Sequence, residues 1–132
     1  MDQILKFITE AKTFYISTVD GDKPRVRPFG FIMNYENKLY LSTASNKNVC
    51  RQLAANPNCE ICAMSAEGKW MRLSAKAIFD TRKEVKEKAF EVMPELKGMY
   101  KSAQNPDFTT FYLDNIEGCI YSFTEKPQVI SL

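Results

Sequence analysis

Two short segments of this 132-residue sequence carry residue types that suit a ligand. In Pro24-Arg25-Val26-Arg27-Pro28-Phe29-Gly30-Phe31, strand alternation puts Arg25 and Arg27 on one face, while Pro28 removes a ladder donor and Gly30 a side chain. Such a strand is either an edge with two solvated arginines or one whose backbone closely approaches a flat ligand. In Leu39-Tyr40-Leu41-Ser42-Thr43-Ala44-Ser45-Asn46-Lys47, a strand ends in hydroxyls, an amide and a lysine where a helix begins. Backbone N–H groups at a helix start, hydroxyl donors and a cation match the charge and acceptor oxygens of a phosphate. The plainer alternative makes Ser45 or Asn46 an N-cap and Lys47 a surface charge.

Composition removes whole reaction classes. The chain has no histidine, which excludes Ser-His and Cys-His nucleophile pairs, His-ligated zinc and histidine-bound haem. No metal site is expected, since Cys59 and Cys62 of the lone C-x-x-C fall on a strand, where positions i and i+3 face opposite ways. No side chain is assigned as catalytic, and a bound organic cofactor is the natural source of chemistry. The single tryptophan, Trp70, is a core or interface aromatic or a ligand contact, and Tyr112 and Tyr121 leave the same choice open.

A chain of this length with 45% hydrophobic residues fits one domain, residues 1–132, burying roughly two thirds of its unfolded surface. Eighteen Lys plus Arg against sixteen Asp plus Glu leave a net charge of +2, and no basic run points to nucleic acid. No stretch approaches the ~20 apolar residues of a membrane span, so no membrane partner is expected and the location is read as cytoplasmic. Four cysteines in a chain with its own core are expected to stay free thiols.

The elements that must position the two segments follow from periodicity. Ile4, Leu5, Phe7, Ile8 and Ala11 make a helical stripe behind Asp2, the expected N-cap. Phe14 to Val19, Arg25 to Tyr35 and Lys38 to Thr43 read as an antiparallel meander with turns at Asp20-Gly21 and Glu36-Asn37. Asn46 is the expected cap of a helix to Ala55, stopped by Asn56-Pro57-Asn58; strands Cys59 to Ser65 and Lys69 to Phe79 follow. Thr81-Arg82-Lys83-Glu84 matches a capping box for a helix to about Met93, with a short second helix from Pro94 to Gln104. Phe108 to Leu113 and Glu117 to Thr124 read as a closing strand pair. The expectation is an α+β, predominantly antiparallel fold: a six- to seven-stranded split β-barrel with peripheral helices.

The order of these pieces resembles the pyridoxamine 5′-phosphate oxidase-like FMN-binding split-barrel family along nearly the whole chain. The likeness rests on the Pro24 to Phe31 strand, then Tyr40 to Lys47 followed by Leu53, Asn56 and Pro57, and finally Trp70-Met71-Arg72-Leu73-Ser74-Ala75-Lys76-Ala77. It implies a homodimer with FMN at the interface. The strand with Arg25, Val26, Arg27, Pro28 and Phe29 would lie along the isoalloxazine ring, and Ser42, Thr43, Ser45, Asn46 and Lys47 would hold the phosphate. Alternation leaves open which of Arg25 and Arg27 faces the ligand. Trp70, Arg72 or the Phe108 to Tyr112 strand of one chain would complete the site of the other. The implied activity is that of an oxidoreductase, passing hydride or electrons from a reduced donor to a small-molecule substrate; the alternative is a flavin-binding or flavin-sensing protein without turnover.

The vitamin-converting oxidases of that family carry a C-terminal arginine and histidine for a pyridoxal-type substrate, and this chain reaches Leu132 with no histidine. The nitroimidazole-resistance and haem-utilisation branches likewise use histidines that are missing here. A deazaflavin-using branch is not separated by sequence.

Overall fold

The computed structural model describes residues 1–132. Helix α1 (Asp2–Ala11) is followed by strands β1 (Phe14–Asp20) and β2 (Lys23–Phe29), then β3 (Met33–Tyr35) and β4 (Lys38–Ala44). Helix α2 (Asn48–Ala55), strands β5 (Asn58–Met64) and β6 (Trp70–Phe79), helices α3 (Lys83–Val92) and α4 (Pro94–Tyr100), and strands β7 (Phe108–Tyr121) and β8 (Gln128–Val129) complete the chain. All strands pair antiparallel in the order β2-β1-β5-β6-β7-β4-β3, with β8 on β7. The eight-stranded sheet is open between β2 and β3, and four helices attend it: the α+β split-barrel architecture, with one short strand more than the sequence suggests.

Turn chemistry fixes the hairpins. Gly21, at φ 64, opens the two-residue loop between β1 and β2, and Glu36 and Asn37, at φ 52 and 60, make the doubly left-handed loop between β3 and β4. The sequence reading of Arg25 to Tyr35 as one strand is corrected, because the chain leaves β2 at Gly30 and crosses to the far edge to start β3. Phe31 and Ile32 are buried in that crossing, so an apolar run that looks like a continuous strand is a buried connection. The expected closing pair is also corrected: β7 is a single 14-residue strand. Asp114-Asn115-Ile116, which reads as a turn, is a β-bulge against β6 with Asn115 at φ 53. A bulge seats one extra residue and bends the strand, and Asn tolerates the left-handed conformation better than most.

Three helix starts also differ from expectation. Asp2 lies inside the first turn of α1 behind Met1, Lys47 rather than Asn46 is the N-cap of α2, and Arg82 rather than Thr81 precedes α3. None has a side-chain cap bond. At α3 the Asp80 carboxylate takes the Arg82 N–H at 3.3 Å, and the capping box expected at Thr81 does not form.

The main core gathers Phe14, Ile16, Leu39, Leu41, Ile61, Met71, Leu73 and Phe111 under α1 and α2. Burying a side chain of this size contributes about 1.5–3 kcal/mol. A satellite core of Phe31, Met33, Tyr40, Val85, Ala89, Leu96 and Phe108 lies beneath α3 and α4. Strand β4 is buried on both faces, Leu39 and Leu41 in one core and Tyr40 in the other, so it spans the body at the place where Ser42 and Thr43 emerge.

Candidate functional site

A cleft of about 520 Å³ opens where β2 leaves the sheet beside the end of β4. This falls in the roughly 300–1,000 Å³ range typical of small-molecule sites. Its polar end is Arg27, Ser42, Thr43 and Lys47; its apolar end is Pro28, Phe29, Gly30 and Phe31 on one side and Met93, Leu96, Met99 and Tyr100 on the other. Both sequence segments thus meet in one place. None of its 13 lining residues is acidic.

The polar end offers groups that an anion could use. Thr43 is 5% exposed, and its Oγ1 is buried without any hydrogen-bond partner. Such an unmet hydroxyl costs about 1–3 kcal/mol, and an acceptor in the cleft would relieve it. Lys47 is exposed, makes no ion pair and stands at the cap of α2, whose first turn has no side-chain acceptor. The positive end of the helix dipole therefore faces the same space.

Arg27 is the arginine that lines the cleft. Its guanidinium donates to Thr18 Oγ1 at 2.8 Å and to Gln52 Oε1 at 2.6 Å, tying β2 to β1 and α2, and no carboxylate pairs with it. Burial, then the neighbouring Arg25, pull its pKa below the ordinary arginine value. It stays charged, since arginine does not deprotonate in proteins. Arg25 is engaged elsewhere, with Nε 3.3 Å from Asp20.

The remaining predicted residues lie outside the cleft. Ser45 and Asn46 are exposed in the turn, with the Ser45 hydroxyl donating to Asp107 at 3.3 Å and its N–H to the Asp107 carbonyl at 2.8 Å. Val26, Trp70 and Arg72 belong to the opposite, outer face of the sheet: the register pairs Ser17 with Val26, Cys62 with Arg72 and Met64 with Trp70. There Trp70 stacks on Tyr121 at 5.9 Å, and Arg72 grips Glu60 through Nε and a terminal nitrogen at 2.8 and 2.7 Å. In the Phe108 to Tyr112 stretch, Phe108 to Phe111 are buried within their own chain and Tyr112 is half-buried.

Sequence reasoning missed the α4 wall. Met93, Leu96 and Tyr100 follow helical spacing on either side of Pro94, a signal that also fits an ordinary amphipathic helix. The Tyr100 hydroxyl is raised above its usual pKa by burial, then by Asp107. Another opening, about 370 Å³ at Ser17, Glu60, Ser74 and Lys76, is on the outer face and carries both signs of charge. No helix is long and apolar enough to cross a membrane.

Residues 1–117 match the pyridoxamine 5′-phosphate oxidase family. Among solved structures, a NimC/NimA family protein of Clostridium acetobutylicum is 42% identical with a TM-score of 0.95, over 100% of this chain and 92% of its own. A protein from the same organism related to general stress protein 26, of the pyridoxinephosphate oxidase family, is 14% identical with a TM-score of 0.76, over 99% and 93% of the two chains. A pyridoxamine 5′-phosphate oxidase-related, FMN-binding protein of Nostoc punctiforme PCC 73102 is 14% identical with a TM-score of 0.62, over 99% and 94%. The last two share the fold. No curated protein matches the sequence.

Proposed function

Since the chain belongs to the pyridoxamine 5′-phosphate oxidase family, we propose that its cleft binds FMN and that the protein is an FMN-dependent oxidoreductase. The observation that carries the reading is the partnerless, buried Thr43 hydroxyl beside unpaired Lys47, in a cleft whose other end is apolar. Ser42, Thr43 and Lys47 would hold the phosphate, Arg27 would add positive field from behind, and Pro28 to Phe31 with Met93, Leu96 and Tyr100 would enclose the ring. When bound, the flavin supplies the redox chemistry, accepting a hydride or electrons from a reduced donor and passing them to a small acceptor. The protein's part is to bind, orient and exclude water.

A homodimer fits the outer face, where Tyr15, Val26 and Met64 are 49%, 67% and 56% exposed on one side of β1, β2 and β5. These three exposed apolar side chains on one face of the sheet would suit burial against a second copy. Trp70 and Arg72 share that face, from which a second copy would present them towards the first. Four unpaired cysteines accord with a cytoplasmic location.

The second reading, a flavin-binding protein without turnover, is favoured by one feature of the cleft: it has no carboxylate or imidazole to move a proton. Reduction of the flavin-loaded protein followed by a panel of small acceptors separates the two. Reoxidation by an acceptor faster than by dissolved oxygen alone supports the oxidoreductase; a reduced flavin that no acceptor reoxidises supports the binder.

A further inference from the structure

A second chamber of about 310 Å³ abuts the main cleft between the end of α1 and the α3–α4 junction. The two share Gly30, Phe31 and Met93 as their common wall. On the far side it is lined by buried Ile8 and Ile32 and by half-exposed Val92, with Thr9 and Lys12 its polar edge. We infer that this chamber is a binding site for a small anion with an apolar, ring-sized body, held beside the main-cleft ligand with its charge on Lys12. Its position as a neighbour of the flavin rests on the preceding proposal; its shape and charge do not.

Three observations carry it. Five of the eight lining residues are apolar, and the only charge is Lys12, which has no ion-pair partner, so an anionic group is the complementary one and a cation is opposed. Gly30 is a glycine that neither backbone nor packing requires: its φ is not left-handed, and a Cβ there would meet no heavy atom within 4 Å. A Cβ at 30 would stand in open space, and the residue lines both chambers. Lys12 is the reverse case. It centres a tight turn at φ 71, ψ −61, closed by Thr13 N–H to the Ala11 carbonyl at 2.9 Å. That conformation is strained for a residue with a Cβ, and glycine would adopt it more easily, yet the position carries a long cation.

The test uses the full chain in two-dimensional ¹H–¹⁵N spectra, with benzoate, benzyl alcohol and benzylammonium as probes of one body and three charges. Benzoate should shift the amides of Lys12, Gly30, Ile32 and Val92 and bind roughly three- to tenfold more tightly than benzyl alcohol, with benzylammonium weakest. Lys12→Met should bring benzoate down to the level of benzyl alcohol. Thr9→Trp, at an exposed helix position whose fold it leaves alone, should fill the chamber and block both. Benzoate shifts that map elsewhere, no binding of benzoate, or benzylammonium binding as well as benzoate would overturn the inference. FMN titration of the same samples keeps the two proposals apart: Lys12→Met and Thr9→Trp should bind FMN like wild type. Benzoate in the chamber of a protein that takes no FMN would sink only the flavin reading.

Discussion

Thr43→Val should make the unliganded protein more stable and the flavin complex weaker, two effects of opposite sign from one atom. Thr43 is 5% exposed on β4, opposite Thr109 of β7, and its hydroxyl has no partner. A buried hydroxyl left unsatisfied costs about 1–3 kcal/mol. Valine has nearly the same shape, favours strands and removes the unmet group, so a gain of about 1 kcal/mol is expected, less than the full penalty because the site is beside an open cleft. For a chain of this length that is roughly 3–5 °C in Tm. If the hydroxyl donates to the FMN phosphate, its loss should weaken binding by about tenfold, since a hydrogen bond to a charged acceptor contributes roughly 1.5–3 kcal/mol. Thermal denaturation without ligand and quenching of flavin fluorescence on titration measure the two. Thr43→Ser, which keeps the oxygen, should retain most of the affinity. A lower Tm for Thr43→Val would mean that the hydroxyl is satisfied, and unchanged FMN affinity would mean that the phosphate lies elsewhere.

Three further outcomes follow from the same structure. Lys47→Ala should weaken FMN by about one to two orders of magnitude while leaving riboflavin binding unchanged, because the lost contact has no partner in a ligand without phosphate; equal losses for both ligands would place Lys47 against the ring instead. Asp80, hydrogen-bonded first of all by Arg82 and also by the Tyr40 hydroxyl at 2.6 Å, has its pKa lowered to about 2. A depressed folded-state pKa gives stability that is present above the unfolded value near 4 and lost as pH falls through 2, so Asp80→Asn should cost about 1–2 kcal/mol at pH 7, the Arg82 side being half exposed and screened, and the deficit should be small at pH 2 and vanish below it in denaturant titrations. Gly118→Val should destabilise by about 1–3 kcal/mol in denaturant melts, since a Cβ there collides with the Leu73 side chain and stands 3.2 Å from the Arg72 carbonyl, which the sheet holds fixed.

The sequence made the strands legible where one face is buried and the other is not, as in β5 and β6, whose alternation survives in the burial of Ile61, Ala63, Met71 and Leu73. It was misleading where tertiary context overrides local signals. Asp114-Asn115 looks like a turn and is a bulge, and Gly30 to Ile32 looks like strand and is a buried crossing, because a pattern of residue types cannot show which edge the chain pairs with next. The two cleft-lining segments were visible because their residue types conflict with an ordinary strand and an ordinary cap. That Arg27 rather than Arg25 lines the cleft was not, since both point to one side of β2 and only Asp20, at the hairpin, draws Arg25 away. The α4 wall was hidden because its apolar residues satisfy the pattern of any packed helix. Absence of histidine argues on sequence against several branches of the family, and a NimC/NimA family protein is 42% identical across the whole chain.

The most direct test of the account compares the affinities of FMN and riboflavin for the wild-type protein in a single fluorescence titration. With a phosphate held by Ser42, Thr43 and Lys47, FMN should bind at least about tenfold more tightly than riboflavin, with saturation at one FMN per chain. Equal affinity for the two ligands, or no binding of either, would contradict the claim that this cleft is a flavin mononucleotide site.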